Sequence, residues 1–136
     1  MKIWTLLALL AWSSGSIAQN SQSELPFSKA VKVGNMLYLS GELGAKPGTL
    51  KLVPGGIGPE TRQTMENIQA TLHANGSDMS KVVKCLVMLA DINEWSAMNE
   101  VYRTFFNAPY PARSALGSSG LALGARVEIE CMARID

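Results

Sequence analysis

The stretch ARVEIECMARI, residues 125–135, alternates apolar and polar side chains with the period of two that is typical of a half-buried strand. One face of the predicted strand is apolar and consists of Val127, Ile129, Cys131, Ala133 and Ile135. The other face consists of Glu128, Glu130, Met132 and Arg134. The alternation therefore predicts a strand near the end of the chain, with two carboxylates on the face that points away from the core.

An arginine stands fifteen residues before Glu128, at Arg113 within the stretch PARS, residues 111–114. An arginine between a proline and small residues can hold a carboxylate through two parallel hydrogen bonds. A glutamate on a neighbouring strand can position a water molecule or move a proton. The two side chains together are the minimum needed to hydrolyse a small acid, although their spacing alone favours a surface arginine and the solvated face of an edge strand.

Periodicity predicts the other regular elements of the chain. In order they are a hairpin of strands at 30–33 and 36–40, a helix at 59–75, a strand at 81–90, a helix from Asn93 and the strand at 125–135. A loop is expected at 44–58, with a short strand at 50–53, and a further short strand is an option after Arg113. This order predicts an α+β domain with two helices on one face of a mostly antiparallel sheet.

The predicted strand at 81–90 is apolar on both faces. One face consists of Val83, Cys85, Val87 and Leu89, and the other of Val82, Lys84, Leu86 and Met88. The second helix carries a stripe of Trp95, Met98, Tyr102 and Phe105 that is predicted to be core. Since no helix remains to cover Leu86 and Met88, we infer a homo-oligomer that buries the second face of the sheet.

The first eighteen residues have the composition of a secretory signal peptide, with Lys2, an apolar run at 3–12 and small residues at Ser16 and Ala18. We expect cleavage before Gln19 and export to the periplasm or the medium, which leaves residues 19–136 as a single domain. An uncleaved anchor is the alternative, and the shortness of the run disfavours it. Removing Lys2 leaves eleven basic and eleven acidic side chains, so nothing in the charge favours nucleic acid.

The two cysteines, Cys85 and Cys131, each lie in an apolar strand pattern without CxxC spacing. Buried free thiols are the favoured interpretation, and a disulfide is the alternative that a secreted location permits. The single histidine, His73, is expected to face solvent near a helix C-terminus. One histidine supports neither a zinc site nor a histidine-based triad.

Several segments together resemble the RidA family, also called YjgF/YER057c/UK114, in order and with the family's spacing. They are PFSKAV at 26–31, LSGE at 39–42, TRQ at 61–63, ENI at 66–68, MNEVY at 98–102, PARS at 111–114 and VEIE at 127–130. The resemblance implies a chorismate-mutase-like fold assembled as a homotrimer, with a site in each of three clefts between subunits. Members of the family hydrolyse reactive 2-iminoalkanoates and their enamine tautomers to 2-oxo acids and ammonia without a metal or cofactor.

The resemblance also assigns roles to individual residues. Arg113 matches the arginine that binds the substrate carboxylate, and Glu128 matches the glutamate that holds the attacking water. Ser40 and Asn99 match polar residues that line the same cleft. Ala115 would offer its backbone N–H to the carboxylate.

The chain departs from the family pattern at three positions in the segments that carry the resemblance or next to them. Phe27 is expected among the substrate-binding residues, where it replaces a frequent tyrosine, so a hydroxyl that could hold substrate or water is missing. Glu42 replaces the usual glutamine and adds a carboxylate near the cleft, where it can repel an anionic substrate or shift neighbouring pKa values. Ala115 stands where some members have cysteine.

The alternative function is a non-catalytic trimer that binds a small carboxylate or protects other proteins. Its motive is location, because the usual imine-generating enzymes are cytosolic whereas the signal peptide directs this chain outward. Ribonuclease activity, which has also been linked to the family, is disfavoured because the sequence has no basic patch, no aromatic stacking platform and no histidine pair.

Overall fold

The structure is a computed structural model that describes residues 25–135. The predicted signal peptide and its cleavage site lie outside the described residues. The strands are β1 (Ala30–Val33), β2 (Met36–Leu39), β3 (Glu42–Leu43), β4 (Val82–Leu89), β5 (Ala112–Gly117) and β6 (Val127–Arg134). The α-helices are α1 (Ile57–Ala74) and α2 (Trp95–Tyr102), and short 3₁₀ turns connect some of the elements.

The strands form one sheet in the order β1-β2-β6-β4-β5, and β3 pairs with β6 beside β2. Every pairing is antiparallel except that of β4 with β5, which is parallel because α2 carries the chain back between them. Both helices pack on one face of this sheet. The predicted α+β class, with two helices on one face of a mixed and mostly antiparallel sheet, is confirmed.

The first helix follows its predicted pattern closely. It ends at Ala74 with Asn75 as the C-cap, and Gly76 takes the left-handed conformation, at φ 78°, that terminates many helices. Met65, Ile68 and Leu72 on its inner face are fully buried against the sheet. His73 is exposed in the last turn, as predicted. Within residues 25–135 neither helix is long and apolar enough to cross a membrane.

The predicted faces of β4 are correct from Cys85 onward and wrong before it. A register shift between Val82 and Lys84 breaks the alternation where β4 pairs with β6. Val82 is consequently buried in the core, whereas Val83 is 38% exposed. An irregularity of this kind inserts a residue into one strand and moves the preceding side chains to the other face.

The two cysteines form a disulfide, so the favoured interpretation of free thiols is wrong. Cys85 of β4 and Cys131 of β6 are direct partners across the antiparallel pair, with their Cα atoms 4.1 Å apart. Both are almost completely buried beneath the helices. The spacing of 46 residues along the chain hid this proximity, because only the register of β4 against β6 brings the side chains together.

The face of the sheet opposite the helices is called the open face here. Strand pairing places Tyr38, Leu86, Met88, Ser114, Leu116, Glu128, Glu130 and Met132 on it. Tyr38 and Leu116 are 41% and 45% exposed, and no described helix covers this face. The uncovered apolar side chains agree with the reason for predicting an oligomer.

Two predictions for the connecting segments are only partly met. The strand expected at 50–53 is reduced to an isolated bridge between Ala45 and Leu52. The short strand that was an option after Arg113 is β5, and it begins at Ala112, so Arg113 lies within the strand. That difference determines the direction in which Arg113 points.

Candidate active site

Arg113 lies on β5 and points to the helix face of the sheet. It is opposite Cys85 in the parallel pairing with β4, and Cys85 faces the core. The Nη1 atom of Arg113 donates a hydrogen bond to Oδ1 of Asn99 at 2.6 Å. The guanidinium carbon lies 4.8 Å from the ring centroid of Tyr102 and 5.6 Å from that of Trp95. Two aromatic rings and one amide therefore hold the arginine beneath α2.

The spacing of residues along α2 explains this arrangement. Trp95, Asn99 and Tyr102 follow one another at intervals of four and three residues, so they share one face of the helix. Trp95 is 44% exposed, which corrects the prediction that it belongs to the core. Met98 and Tyr102 of the same stripe are buried as predicted. The sequence signal that could have placed Trp95 was its position one turn before Asn99.

A groove of about 530 Å³ opens beside Arg113, and it is large enough for a small acid. Its lining includes Trp95, Asn99, Tyr102, Tyr110 and Arg113. Burial raises the pKa of Tyr102 to about 12 although the nearby Arg113 opposes this shift. The phenol therefore stays protonated at neutral pH, and its hydroxyl has no hydrogen-bond partner among the described residues.

Glu128 lies on β6 and points to the open face. It is opposite Met88 of β4 on one side and Leu43 of β3 on the other. Its carboxylate packs against Gly41 so closely that a Cβ at that position would collide with Oε1 and Cδ. Gly41 belongs to a segment that carries the family resemblance, yet its need to be glycine becomes visible only when Glu128 is placed against it.

The pKa of Glu128 is raised, chiefly because burial disfavours the charged carboxylate. The second cause is the negative charge of Glu130, which lies two residues along the same face of β6. A raised pKa makes Glu128 a better proton acceptor than an ordinary exposed glutamate. Glu130, a residue of the predicted polar face of this strand, therefore affects how readily Glu128 ionises.

Of the remaining predicted site residues, Ala115 lies near Arg113, and Ser40 lies near Glu128. Ala115 is partly buried on the helix face, two residues after Arg113 and opposite Val87. Ser40 directly precedes Gly41 and donates its hydroxyl to the carbonyl oxygen of Ser28 at 2.6 Å. This bond holds the segment that contains Phe27, whose ring is 55% exposed.

Glu42, which is expected to add a carboxylate near the cleft, points away from Glu128. It is opposite Ile129 and therefore points to the helix face. Its Oε1 atom accepts a hydrogen bond from Thr71 at 3.1 Å and lies 3.4 Å from Nζ of Lys29. This carboxylate joins β3 to α1 and to the residue that directly precedes β1.

Arg113 and Glu128 consequently lie on opposite faces of the same sheet. The structure brings Arg113 together with Asn99 and Ala115, and it brings Glu128 together with Gly41. It does not bring these two halves together within one chain. Among residues 25–135, no three histidine, cysteine or acidic side chains are grouped as ligands for a metal ion.

The fold and the surroundings of Arg113 and Glu128 define a class of small α+β proteins. These proteins have an arginine packed beneath a helix on one face of a sheet and a partly buried glutamate on the other face. The chain belongs to the family described as Endoribonuclease L-PSP, whose family model matches residues 17–135. This is the family that includes the RidA proteins, so the resemblance is confirmed.

Similar proteins with known names support the same assignment. The chain is 47% identical over 108 residues to the 2-iminobutanoate/2-iminopropanoate deaminase of Capra hircus, covering 79% of each chain. It is 42% identical over 108 residues to the human protein of that name, covering 79% of each. Its fold is similar to the crystal structure of RidA from an Antarctic Psychrobacter bacterium, at TM-score 0.77 and 41% identity, covering 81% of this chain and 89% of that one.

Proposed function

We propose that this protein hydrolyses 2-iminobutanoate and 2-iminopropanoate to the corresponding 2-oxo acids and ammonia. The observation that carries the proposal is the guanidinium of Arg113, held by Asn99 beside an open groove. Its other N–H groups have no hydrogen-bond partner among residues 25–135, which leaves them available for a carboxylate. The names of relatives that are 42–47% identical support this substrate class.

The proposed reaction asks the protein mainly to orient substrate and water. Arg113 binds the carboxylate of the 2-imino acid, and the backbone N–H of Ala115 adds a further donor. Glu128 accepts a proton from water as the water oxygen attacks the carbon of the protonated imine. The resulting carbinolamine receives that proton on nitrogen and releases ammonia, and loss of the hydroxyl proton leaves a 2-oxo acid and, overall, one ammonium ion.

The opposite directions of Arg113 and Glu128 favour a site shared between subunits. We propose a homotrimer with three clefts, in which one subunit supplies Arg113 and its neighbour supplies Glu128. The exposed apolar side chains of the open face, Tyr38 and Leu116 among them, support its burial against another copy. In such an assembly, Arg113 of one subunit and Glu128 of the next can face the same cleft, which the two residues of a single chain cannot do.

The proposal is tested by adding purified protein to freshly generated 2-iminopropanoate and 2-iminobutanoate and following the appearance of 2-oxo acid. We expect release faster than spontaneous hydrolysis and proportional to the concentration of protein. A preparation that is folded and trimeric yet gives no acceleration would contradict the proposed function. Protein unfolded by heat before the assay is the control for acceleration by buffer components.

The pH dependence of the reaction provides a test of Glu128 through its neighbour. Because Glu128 must be ionised to accept a proton, kcat/KM should fall as the pH drops through its raised pKa. Glu130→Gln removes the like charge that contributes to this shift, so the acid limb should move to lower pH. Burial, the larger cause, remains in the variant.

This prediction is checked by measuring kcat/KM between about pH 4 and pH 8 for both proteins. Glu66→Gln is a matched control, because Glu66 is an exposed glutamate on α1. It should leave the acid limb in place. A shift toward higher pH in Glu130→Gln would show that the sign is wrong.

We also propose that the chain is exported by a cleaved signal peptide at residues 1–18. The buried disulfide between Cys85 and Cys131 supports this, because such bonds persist mainly in oxidising compartments. Protein recovered from the native host should begin at Gln19 by mass spectrometry and contain no free thiol before reduction. Recovery of an intact N-terminus with two free thiols would overturn the proposal.

The disulfide also favours a second candidate function, a non-catalytic trimer that captures small carboxylates outside the cytoplasm. In that case Arg113 would bind 2-oxo acids without turnover. Pyruvate or 2-oxobutanoate would then raise the melting temperature while the imine assay showed no acceleration. Turnover by the wild-type protein would exclude this candidate.

The description of the family as an endoribonuclease does not alter the preference for a deaminase. The formal net charge of the chain is +1, which gives little attraction to phosphates. Its one histidine, His73, is exposed at the end of α1, whereas the groove is lined by α2 and the start of β5.

A further inference from the structure

A second carboxylate, Glu60, is buried in the first turn of α1 and has no part in the reaction described above. Only 3% of its surface is exposed. Its Oε1 atom accepts a hydrogen bond from the backbone N–H of Arg126 at 2.6 Å. Burying a carboxylate is costly unless it is hydrogen-bonded, so the buried Glu60 side chain and the backbone of Arg126 are held together by this contact.

Glu60 also contacts the segment that precedes it in the sheet. A Cβ at Gly44 would lie 2.5 Å from Cγ and 2.6 Å from the carbonyl oxygen of Glu60. The chain leaving β3 therefore packs directly against the first turn of α1. Any side chain at Gly44 would push these two segments apart.

These two contacts lie at the same end of the antiparallel pairing of β3 with β6, next to Glu128. Gly44 directly follows β3, in which Leu43 is opposite Glu128. Gly41, which packs against the carboxylate of Glu128, directly precedes the same strand. Arg126 directly precedes β6, two residues before Glu128. Glu60 thus fixes the spacing between the strand that carries Glu128 and the strand that packs on its side chain.

Arg126 extends the same set of contacts to α2. Its Nε atom donates to Oε2 of Glu94 at 3.0 Å, and its Nη2 atom donates to Oε1 of the same carboxylate. Glu94 directly precedes Trp95, whose ring lies over Arg113. The residue that Glu60 holds by its backbone is therefore joined by its side chain to the helix that holds the arginine.

We propose that Glu60 is a positioning residue that holds the carboxylate of Glu128 against Gly41 through its contacts with Arg126 and Gly44. The inference rests on the proposed hydrolysis, in which Glu128 accepts the proton of the attacking water. It does not require Glu60 to touch substrate. Displacing a proton acceptor by about 1 Å can cost up to about 100-fold in rate, so a lost contact at Glu60 should slow the chemical step.

The test compares three substitutions in the full protein. Glu60→Ala removes the acceptor and should lower kcat for 2-iminopropanoate about tenfold, with KM changed less than about twofold because Arg113 still binds the carboxylate. Glu60→Gln keeps an oxygen at the same reach and should retain kcat within about threefold. Glu60→Asp keeps the charge but is one methylene shorter, so it should resemble the alanine variant.

Glu66→Ala, an exposed glutamate of the same helix, is the control and should leave kcat and KM unchanged. Each variant is assayed at a temperature at which circular dichroism shows it folded. If Glu60→Ala does not fold, loss of kcat in Glu60→Asp with rescue in Glu60→Gln supports the inference. Equal kcat in these two variants would overturn it.

The experiment distinguishes a failure of the positioning role of Glu60 from a failure of the proposed hydrolysis. An inactive wild-type protein would contradict the hydrolysis itself. An active wild-type protein whose Glu60→Ala or Glu60→Asp variant keeps kcat would contradict only the positioning role. A rise in KM at unchanged kcat would also contradict it, since that pattern indicates lost substrate binding.

Discussion

Replacing Arg113 by alanine is expected to lower kcat/KM for 2-iminopropanoate by about 100-fold to 10,000-fold. In the proposed reaction, the substitution removes two charge-assisted hydrogen bonds to the substrate carboxylate, each of which contributes about 1.5–3 kcal/mol. Asn99 and Tyr102 also lose the guanidinium that they hold at 2.6 Å and 4.8 Å. Steady-state release of 2-oxo acid by wild type and variant measures the loss.

Two further substitutions test whether the loss comes from carboxylate binding by Arg113 rather than from removing a positive charge or an arginine that packs on an aromatic ring. Arg113→Lys keeps the positive charge but loses the planar fork that stacks on Tyr102 and Trp95, so it should recover activity only in part. Arg62→Ala is the matched control, because Arg62 also lies over an aromatic ring, that of Phe105, at 5.9 Å. It lies outside the groove and should change kcat/KM less than about twofold. Near-normal activity in Arg113→Ala would exclude it as the carboxylate-binding residue.

Much of the fold could be predicted because its signals are local. The alternation at 127–134 and the helical spacing of Met65, Ile68 and Leu72 are set by neighbours in sequence, and both patterns match the structure. The same holds for the turn at Gly76, where the backbone requires a left-handed residue. The order of the two helices and of β1, β2, β4 and β6 follows from such patterns, whereas β3 was not predicted.

The orientation of the site could not be predicted, because it depends on pairing between distant strands. The small and glycine-rich composition after Arg113 obscured β5, whose parallel pairing with β4 turns Arg113 toward α2. The register shift near Val83 and the disulfide between Cys85 and Cys131 likewise depend on how β4 meets β6. Residue identities suggested an arginine and a glutamate acting together, whereas the register shows that one chain keeps them apart.

Mixed trimers assembled from Arg113→Ala and Glu128→Gln subunits are expected to regain activity that neither variant has alone. If each cleft takes Arg113 from one subunit and Glu128 from the next, random mixing in equal amounts restores about a quarter of the wild-type clefts. The two chains carry different affinity tags, are unfolded and refolded together, and are checked for composition by native mass spectrometry. Imine hydrolysis per trimer is then compared with that of the refolded wild type.

A second mixture distinguishes the two arrangements, because the expected fraction of intact clefts differs between clefts shared by two subunits and clefts formed by one chain. Subunits carrying both Arg113→Ala and Glu128→Gln are mixed with equal wild type, which leaves about a quarter of the clefts intact if they are shared and about a half if each belongs to one chain. The opposite orientations of the two side chains on one sheet predict the first value. Confirmed mixed trimers without recovery in the first mixture, together with half activity in the second, would place both residues in one subunit and overturn the shared cleft.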